Sequence, residues 1–222
     1  MSKIKKWAKN LIKDVFYEWK LNYSSWKSGF KVFYGPVRKN PELLILSFNP
    51  GGTEKSFMDD FNRFTKGDFS LPKINSYILR DYPMAKKMKN LFEENELYLK
   101  HSVAFPILFF RSKNVQLWKS SLSNKKRKRM EQFCYSLVKE IFREIQPKKI
   151  LVIGFATYNR MKKHLFGNLD DDILYGRNNR KLSYSSHLDG KPLLCILHPT
   201  GNRISNEDWE KIKLYFQNFI RK

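Results

Sequence analysis

Four runs of nearly continuous apolar residues, separated by longer amphipathic stretches, predict an α/β protein. The expected architecture is a three-layer α/β/α sandwich around a central, mainly parallel four-stranded sheet. The runs are LLILSF (43–48), VAFPILFF (103–110), KKILVIGFA (148–156) and PLLCILHP (192–199). Strands that are apolar on both faces belong in sheets covered by helices on both sides, and the intervening stretches suit crossover helices. The chain has 222 residues, the size of one well-packed domain, and neither a repeat nor an internal linker divides it. The expectation is one domain over 1–222, with residues 1–20 forming an N-terminal helix packed on it.

Residues 4–19 place Ile4, Trp7, Ala8, Leu11, Ile12, Val15, Phe16 and Trp19 at three-and-four spacing, which predicts an amphipathic helix. Such a basic helix can lie on a membrane; the favoured reading packs its aromatic stripe on the core and shows its lysines to solvent. Tyr34-Gly35-Pro36 and Asn40-Pro41 mark loops before the first strand. Residues 53–82 carry aromatics without a clean period, which predicts a long functional loop or short helices. A helix is expected over 84–99, followed by the second strand, bent or edged at Pro106. Residues 121–145 read as a long helix with Phe133, Leu137, Ile141 and Ile145 on one face. The third strand leads into a helix over 157–165. Residues 170–190 are polar and turn-rich, outside the four expected strands. The fourth strand and a helix over 206–219 complete the chain.

At 41% hydrophobic and 15% aromatic residues the chain is too apolar to be disordered. Cys134 and Cys195 both sit in apolar runs as buried thiols, too few for an iron–sulfur cluster or a four-thiolate zinc site. His101, His164, His187 and His198 show no metal-ligand spacing, so neither a metal nor a cofactor is expected. No apolar run reaches the ~18 residues of a membrane span, and the N-terminus lacks a signal-peptide core. The expectation is an intracellular monomer, cytoplasmic in a prokaryote or nuclear in a eukaryote. Against 43 basic residues stand 21 acidic ones, a net charge of +22. Richness in Lys, Asn, Ile, Phe and Tyr fits an AT-rich genome, but that bias does not halve the acids. The excess predicts a polyanionic partner, with nucleic acid ahead of an acidic membrane surface.

Ligands of parallel sheets gather at the carboxyl ends of the strands. Asn49 and His198 both stand there, in LLILSFNPGG and ILHPTGNR. Together with GPVRKNPELLILSFNPGG, KKILVIGFA and HPTGNRISNEDWEKI, these segments resemble the uracil-DNA glycosylase superfamily. The likeness is greatest to its single-strand-selective monofunctional and mismatch-specific branches, whose first motif carries Asn. It spans residues 35–212. The resemblance implies that Asn49 orients the attacking water and that His198 hydrogen-bonds the base oxygen as it becomes anionic. Taken singly, Asn49 is a turn former before Pro50 and His198 a strand-end histidine; the pair favours catalysis.

For the base pocket the resemblance nominates Ser47, Phe48, Gly51 and Gly52, with glycines allowing close backbone approach. It also nominates an aromatic that stacks on the flipped base. Phe61 is nearest the expected spacing, with Phe57 and Phe64 as competitors. Ser47 stands where the family usually has Gly. Uracil-specific relatives carry an Asn on the second strand that reads the pyrimidine edge. Here Val103 or Pro106 occupies that place and Ser102 is the nearest polar residue, so ordinary uracil selectivity is not expected. Thr200, Gly201, Asn202 and Arg203 form the expected phosphate-gripping loop, with Arg203 as wedge. Lys125, Lys126 and Arg127, in KKRKR, are cations near a helix start, a placement that favours a phosphate partner or a solvated face.

The resulting expectation is a metal-free, monofunctional DNA glycosylase acting on a uracil-like, damaged or modified base in duplex or single-stranded DNA. Excision of hypermodified viral bases in defence is one alternative, and an inactive DNA-binding module is another.

Overall fold

The computed structural model describes residues 2–167, 169–200 and 203–221. The chain is an α/β/α sandwich whose sheet has six strands. Helix α1 (Lys3–Asn22) precedes β1 (Leu43–Ser47). Then come α2 (Glu54–Thr65), α3 (Ser76–Leu79), α4 (Pro83–Leu91), α5 (Glu96–His101) and β2 (Val103–Pro106). Helices α6 (Val115–Ser120) and α7 (Asn124–Ile145) lead to β3 (Lys149–Ile153) and α8 (Phe155–Met161), which continues as a π turn over Lys162–Phe166. Strands β4 (Asp172–Tyr175), β5 (Lys181–Leu188) and β6 (Lys191–Ile196) precede α9 (Asn206–Arg221).

The four expected strands form the parallel part of the sheet. In the order β2-β1-β3-β6-β5-β4, neighbours from β2 to β6 run parallel, with Ser47 opposite Pro106, Leu46 opposite Val152 and Ile153 opposite Ile196. Alternation along each strand divides the core in two. Leu44, Leu46, Val103, Phe105, Ile150 and Val152 face α1, α2, α7 and α8. Leu43, Ile45, Ala104, Leu151, Ile153, Leu194 and Ile196 face α4, α5 and α9. The first helix packs as expected: Ala8, Leu11, Ile12, Val15, Phe16 and Trp19 are buried, and the Trp7 indole donates to Glu140.

The sheet exceeds the expected four strands because residues 170–190 supply β4 and β5, both antiparallel. Strand β5 reads KLSYSSHL, and its serines conceal the alternation that buries Leu182, Ser186 and Leu188. A two-residue turn joins it to β6, with Asp189 at φ 50 and Gly190 at φ 74. Both residues adopt the left-handed backbone that a tight hairpin of this hand requires, and Asp-Gly is its usual sequence. Among the described residues no helix is long and apolar enough to cross a membrane.

Candidate active site

The chain beyond β2 runs beside the end of β1 and holds it. Ile107, Leu108 and Ser112 donate their N–H groups to the carbonyls of Ser47, Phe48 and Pro50 at 2.8, 2.9 and 3.0 Å. This hydrogen bonding extends the pairing past the last strand residue and presents Asn49 at the carboxyl edge of the sheet. The Asn49 amide is oriented by its donors: Nδ2 donates to the Ser112 carbonyl at 3.0 Å and to the Pro50 carbonyl at 3.1 Å. Two carbonyl oxygens cannot accept from Oδ1, so the NH2 group must face them. Oδ1 is thereby turned away as an acceptor, and a water in front of it would be held through one of its protons.

Arg111 fastens the following loop. Buried beside it, the guanidinium donates to the Gly51 carbonyl at 3.0 Å, to the Phe30 carbonyl at 3.2 Å and to Asp60 at 3.2 Å. Asp60 also pairs with Lys31 at 3.1 Å and Arg63 at 2.8 Å. Burial alone would raise the Asp60 carboxyl, but its cationic neighbours outweigh that and hold it below the usual carboxylate range. Gly52 is required by this packing. It has φ +121, and a Cβ there would lie 2.5 Å from Ser56 Oγ and 3.0 Å from the Arg111 guanidinium. Gly51 is exposed, and a Cβ on it would meet nothing within 4 Å.

His198 follows β6 and rests on the end of β3. Gly154, at φ +87, seats the ring: a Cβ there would stand 3.2 Å from His198 Cδ2 and 3.3 Å from its Cβ. The Thr200 N–H donates to His198 Nδ1 at 3.3 Å. Burial lowers the pKa of the imidazole, which favours the neutral ring at neutral pH. A neutral ring that accepts at Nδ1 carries its proton on Nε2. Strand β3 separates β1 from β6, so with ~4.8 Å per strand spacing the two strand ends stand about 10 Å apart. The pair therefore offers a fixed acceptor and a fixed donor across a gap that one planar base can enter.

The remaining expected site residues divide. Ser47 is half-buried at the end of β1, with Oγ 3.0 Å from the Tyr34 hydroxyl. Phe48 is buried beneath the Arg160 guanidinium, 5.0 Å from the ring centroid, and Arg160 is itself held by Glu131 and Tyr135. Thr200 and Arg203 are exposed, and the Arg203 carbonyl accepts from Arg180. Gly201 and Asn202 lie outside the described residues. Helix α7 ends beside Asn40, at the amino edge of the sheet, so its first turn reaches towards the carboxyl edge. That turn carries Lys125, exposed, and Lys126, which donates to Ser25 Oγ at 2.8 Å. Arg127 is turned onto the Lys119 carbonyl and Asn124, both at 2.7 Å. An open groove of about 600 Å³ runs between this turn and the end of α1, lined in part by Lys125, Lys126 and Arg129.

Two expectations are corrected. The aromatics of α2 belong to the core on the α1 side. Phe57 is 2% exposed and packs edge-on against Trp19 at 5.1 Å, Phe64 stacks on Phe30 at 5.5 Å, and Phe61 lies against Trp19 at 5.9 Å. The period of α2 turns all three toward α1. Ser102 is at the wrong end of the sheet. Val103 pairs with Leu44, so Ser102 is level with the start of β1, six residues from Asn49 or ~20 Å along a strand. Its hydroxyl is buried, donating to the Leu99 carbonyl and accepting from Asn75.

Arg111, Ser112, Gly154 and Tyr34 went unremarked as site residues. Arg111 had a signal, as the first charge after an eight-residue apolar run; Gly154 had one, as a glycine closing a buried strand. Among the described residues no group of three or more His, Cys, Asp or Glu side chains is placed to hold a metal. No protein-family model matches the chain, and no curated protein matches it.

Proposed function

We propose that this protein is a monofunctional DNA glycosylase that hydrolyses the N-glycosidic bond of a base flipped out of DNA. The observation that carries the reading is the opposed pair at the sheet edge: Asn49 with Oδ1 presented by two backbone acceptors, and neutral His198 with its proton on Nε2. An amide is no proton acceptor, so Asn49 would position water rather than deprotonate it. As the bond from the sugar C1′ to the base nitrogen lengthens, its electron pair leaves with the base and the sugar becomes oxocarbenium-like. Negative charge gathers on the base carbonyl, where the His198 Nε2–H donates. The water held at Asn49 then adds its oxygen to C1′ and releases a proton, leaving an abasic site. Donors aimed at developing charge supply large factors, on the order of 10²–10³ each.

The partner is DNA by charge and placement. The chain carries +22, and the basic first turn of α7 opens toward the same sheet edge as Asn49. The motif resemblance to the uracil-DNA glycosylase superfamily supports the same assignment. The test uses single-stranded and duplex oligonucleotides carrying uracil, hypoxanthine, 5-hydroxymethyl or glucosylated bases, with heat and alkali to cut abasic products. Scission at one base by the wild type, abolished in both Asn49→Ala and His198→Ala folded variants, is the expected result. Full activity in both variants would refute the site. Binding without scission on every substrate would make the protein a DNA-binding module.

A further inference from the structure

We infer that the Tyr34–Ser47 hydroxyl pair reads the edge of the bound base, and that it accepts a pyrimidine bearing either a keto or an amino group there. The inference rests on the glycosylase reading and names a substrate class for the same site.

Ser47 is the last residue of β1, two residues before Asn49, or ~7 Å along an extended chain. Its Oγ lies 3.0 Å from the Tyr34 hydroxyl, and both residues are half-buried, so the pair ends the strand without being sealed in the core. Tyr34 is rigidly set. Its N–H donates to the Ala104 carbonyl at 2.8 Å, its carbonyl accepts from Ser76 at 2.7 Å, and its ring packs edge-on against Tyr77 at 5.8 Å. Tyr82, 43% exposed, extends this aromatic wall outward from Tyr77. The contrast with the opposite end of the sheet is informative. There Asn75 and Ser102 are fully enclosed and bonded to one another and to Leu99, a structural arrangement with no access.

Either hydroxyl can donate to the other. Whichever donates uses its proton and keeps lone pairs; the acceptor keeps a proton to give outward. The pair therefore always presents one O–H donor and one set of lone pairs, and a rotation of both hydroxyls exchanges them. A keto oxygen meets the donor and an exocyclic amine meets the lone pairs. A side-chain amide held in one orientation has no such freedom. Burial raises the Tyr34 phenol well above the ordinary tyrosine range, so it stays protonated and the exchange persists throughout the working pH range.

The experiment measures single-turnover excision from single-stranded oligonucleotides that differ only in the base. The matched pairs are uracil with cytosine, and 5-hydroxymethyluracil with 5-hydroxymethylcytosine; hypoxanthine is a purine control. The wild type is expected to excise both members of the pair it accepts at rates within about tenfold of each other, because one ambivalent contact discriminates weakly. Tyr34→Phe and Ser47→Ala should each lower both rates by about tenfold, the worth of one hydrogen bond. Thermal unfolding of both variants checks that the fold is retained. Rejection of one member by more than a hundredfold, excision of hypoxanthine alone, or unchanged rates in both variants would overturn the inference while leaving the glycosylase reading intact. A wild type inert on every oligonucleotide would end both.

Discussion

Replacing Asn49 by Asp tests the orientation of the amide without reference to any substrate. The side chains have nearly the same shape, but the substitution puts an oxygen where Nδ2 now donates to the Ser112 and Pro50 carbonyls at 3.0 and 3.1 Å. Two hydrogen bonds are lost, together ~2 kcal/mol at about 1 kcal/mol each. A carboxylate facing two carbonyl oxygens is also repelled, which raises its folded-state pKa above the unfolded value of ~3.9. Each unit of that rise adds about 1.4 kcal/mol to the penalty at neutral pH. The sign follows from linkage. With the folded pKa raised, the folded variant holds its proton longer than the unfolded chain, so the added penalty is absent below pH ~3.9 and grows as pH rises through the folded value. Protonated Asp can also donate to one carbonyl and recover part of the bonding loss. The assay is urea denaturation of the Asn49→Asp and wild-type proteins at pH 7 and pH 4.5, compared at each pH so that general acid effects cancel. The expected deficit exceeds ~2 kcal/mol at pH 7 and shrinks at pH 4.5. Equal stability at both pH values would show that the amide is not held as described.

Gly154→Ala places a methyl group 3.2 Å from His198 at a backbone of φ +87. It should cost about 1–3 kcal/mol in denaturant unfolding and slow excision by displacing the ring. Phe57→Ala empties a core site against Trp19, Phe30 and the backbone of Gly29. The expected loss is about 3–5 kcal/mol, and a variant of normal stability with impaired excision would return Phe57 to the base pocket. Because burial lowers the pKa of His198, excision should be level through neutral pH and decline on the acid side only below the ordinary histidine value of ~6.5. The linked stability has the same sign: it is complete above pH ~6.5 and is lost as pH falls, because the unfolded histidine takes its proton first. An acid limb above that value, or one unchanged in His198→Ala, would assign the titration elsewhere.

The parallel half of the sheet was legible because strands buried on both faces must be apolar at every position, and that pattern survives without any knowledge of neighbours. The amphipathic stripe of α1 was legible for the same reason. It also followed that Asn49 and His198, each immediately after such a strand, would stand at one edge of the sheet. Strands β4 and β5 were hidden because one carries serines on a covered face and the other lies at the wet edge. Only the Asp189-Gly190 turn announced them. The aromatics of α2 illustrate a different limit. Local spacing places Phe57, Phe61 and Phe64 on one face of a helix, but the sheet layer that face meets depends on where α1 packs, a contact some forty residues away. Likewise the level of Ser102 is set by the pairing of Val103 with Leu44, across sixty residues of chain.

The sequence by itself determined the covered parallel sheet and the two strand ends at which chemistry is proposed, because burial and strand polarity are written in local residue type. Only the tertiary structure decided which atoms those ends present. Hydrogen bonds from Asn49 to Ser112, from Thr200 to His198 and between Tyr34 and Ser47 set donor and acceptor, and each depends on how separate segments meet.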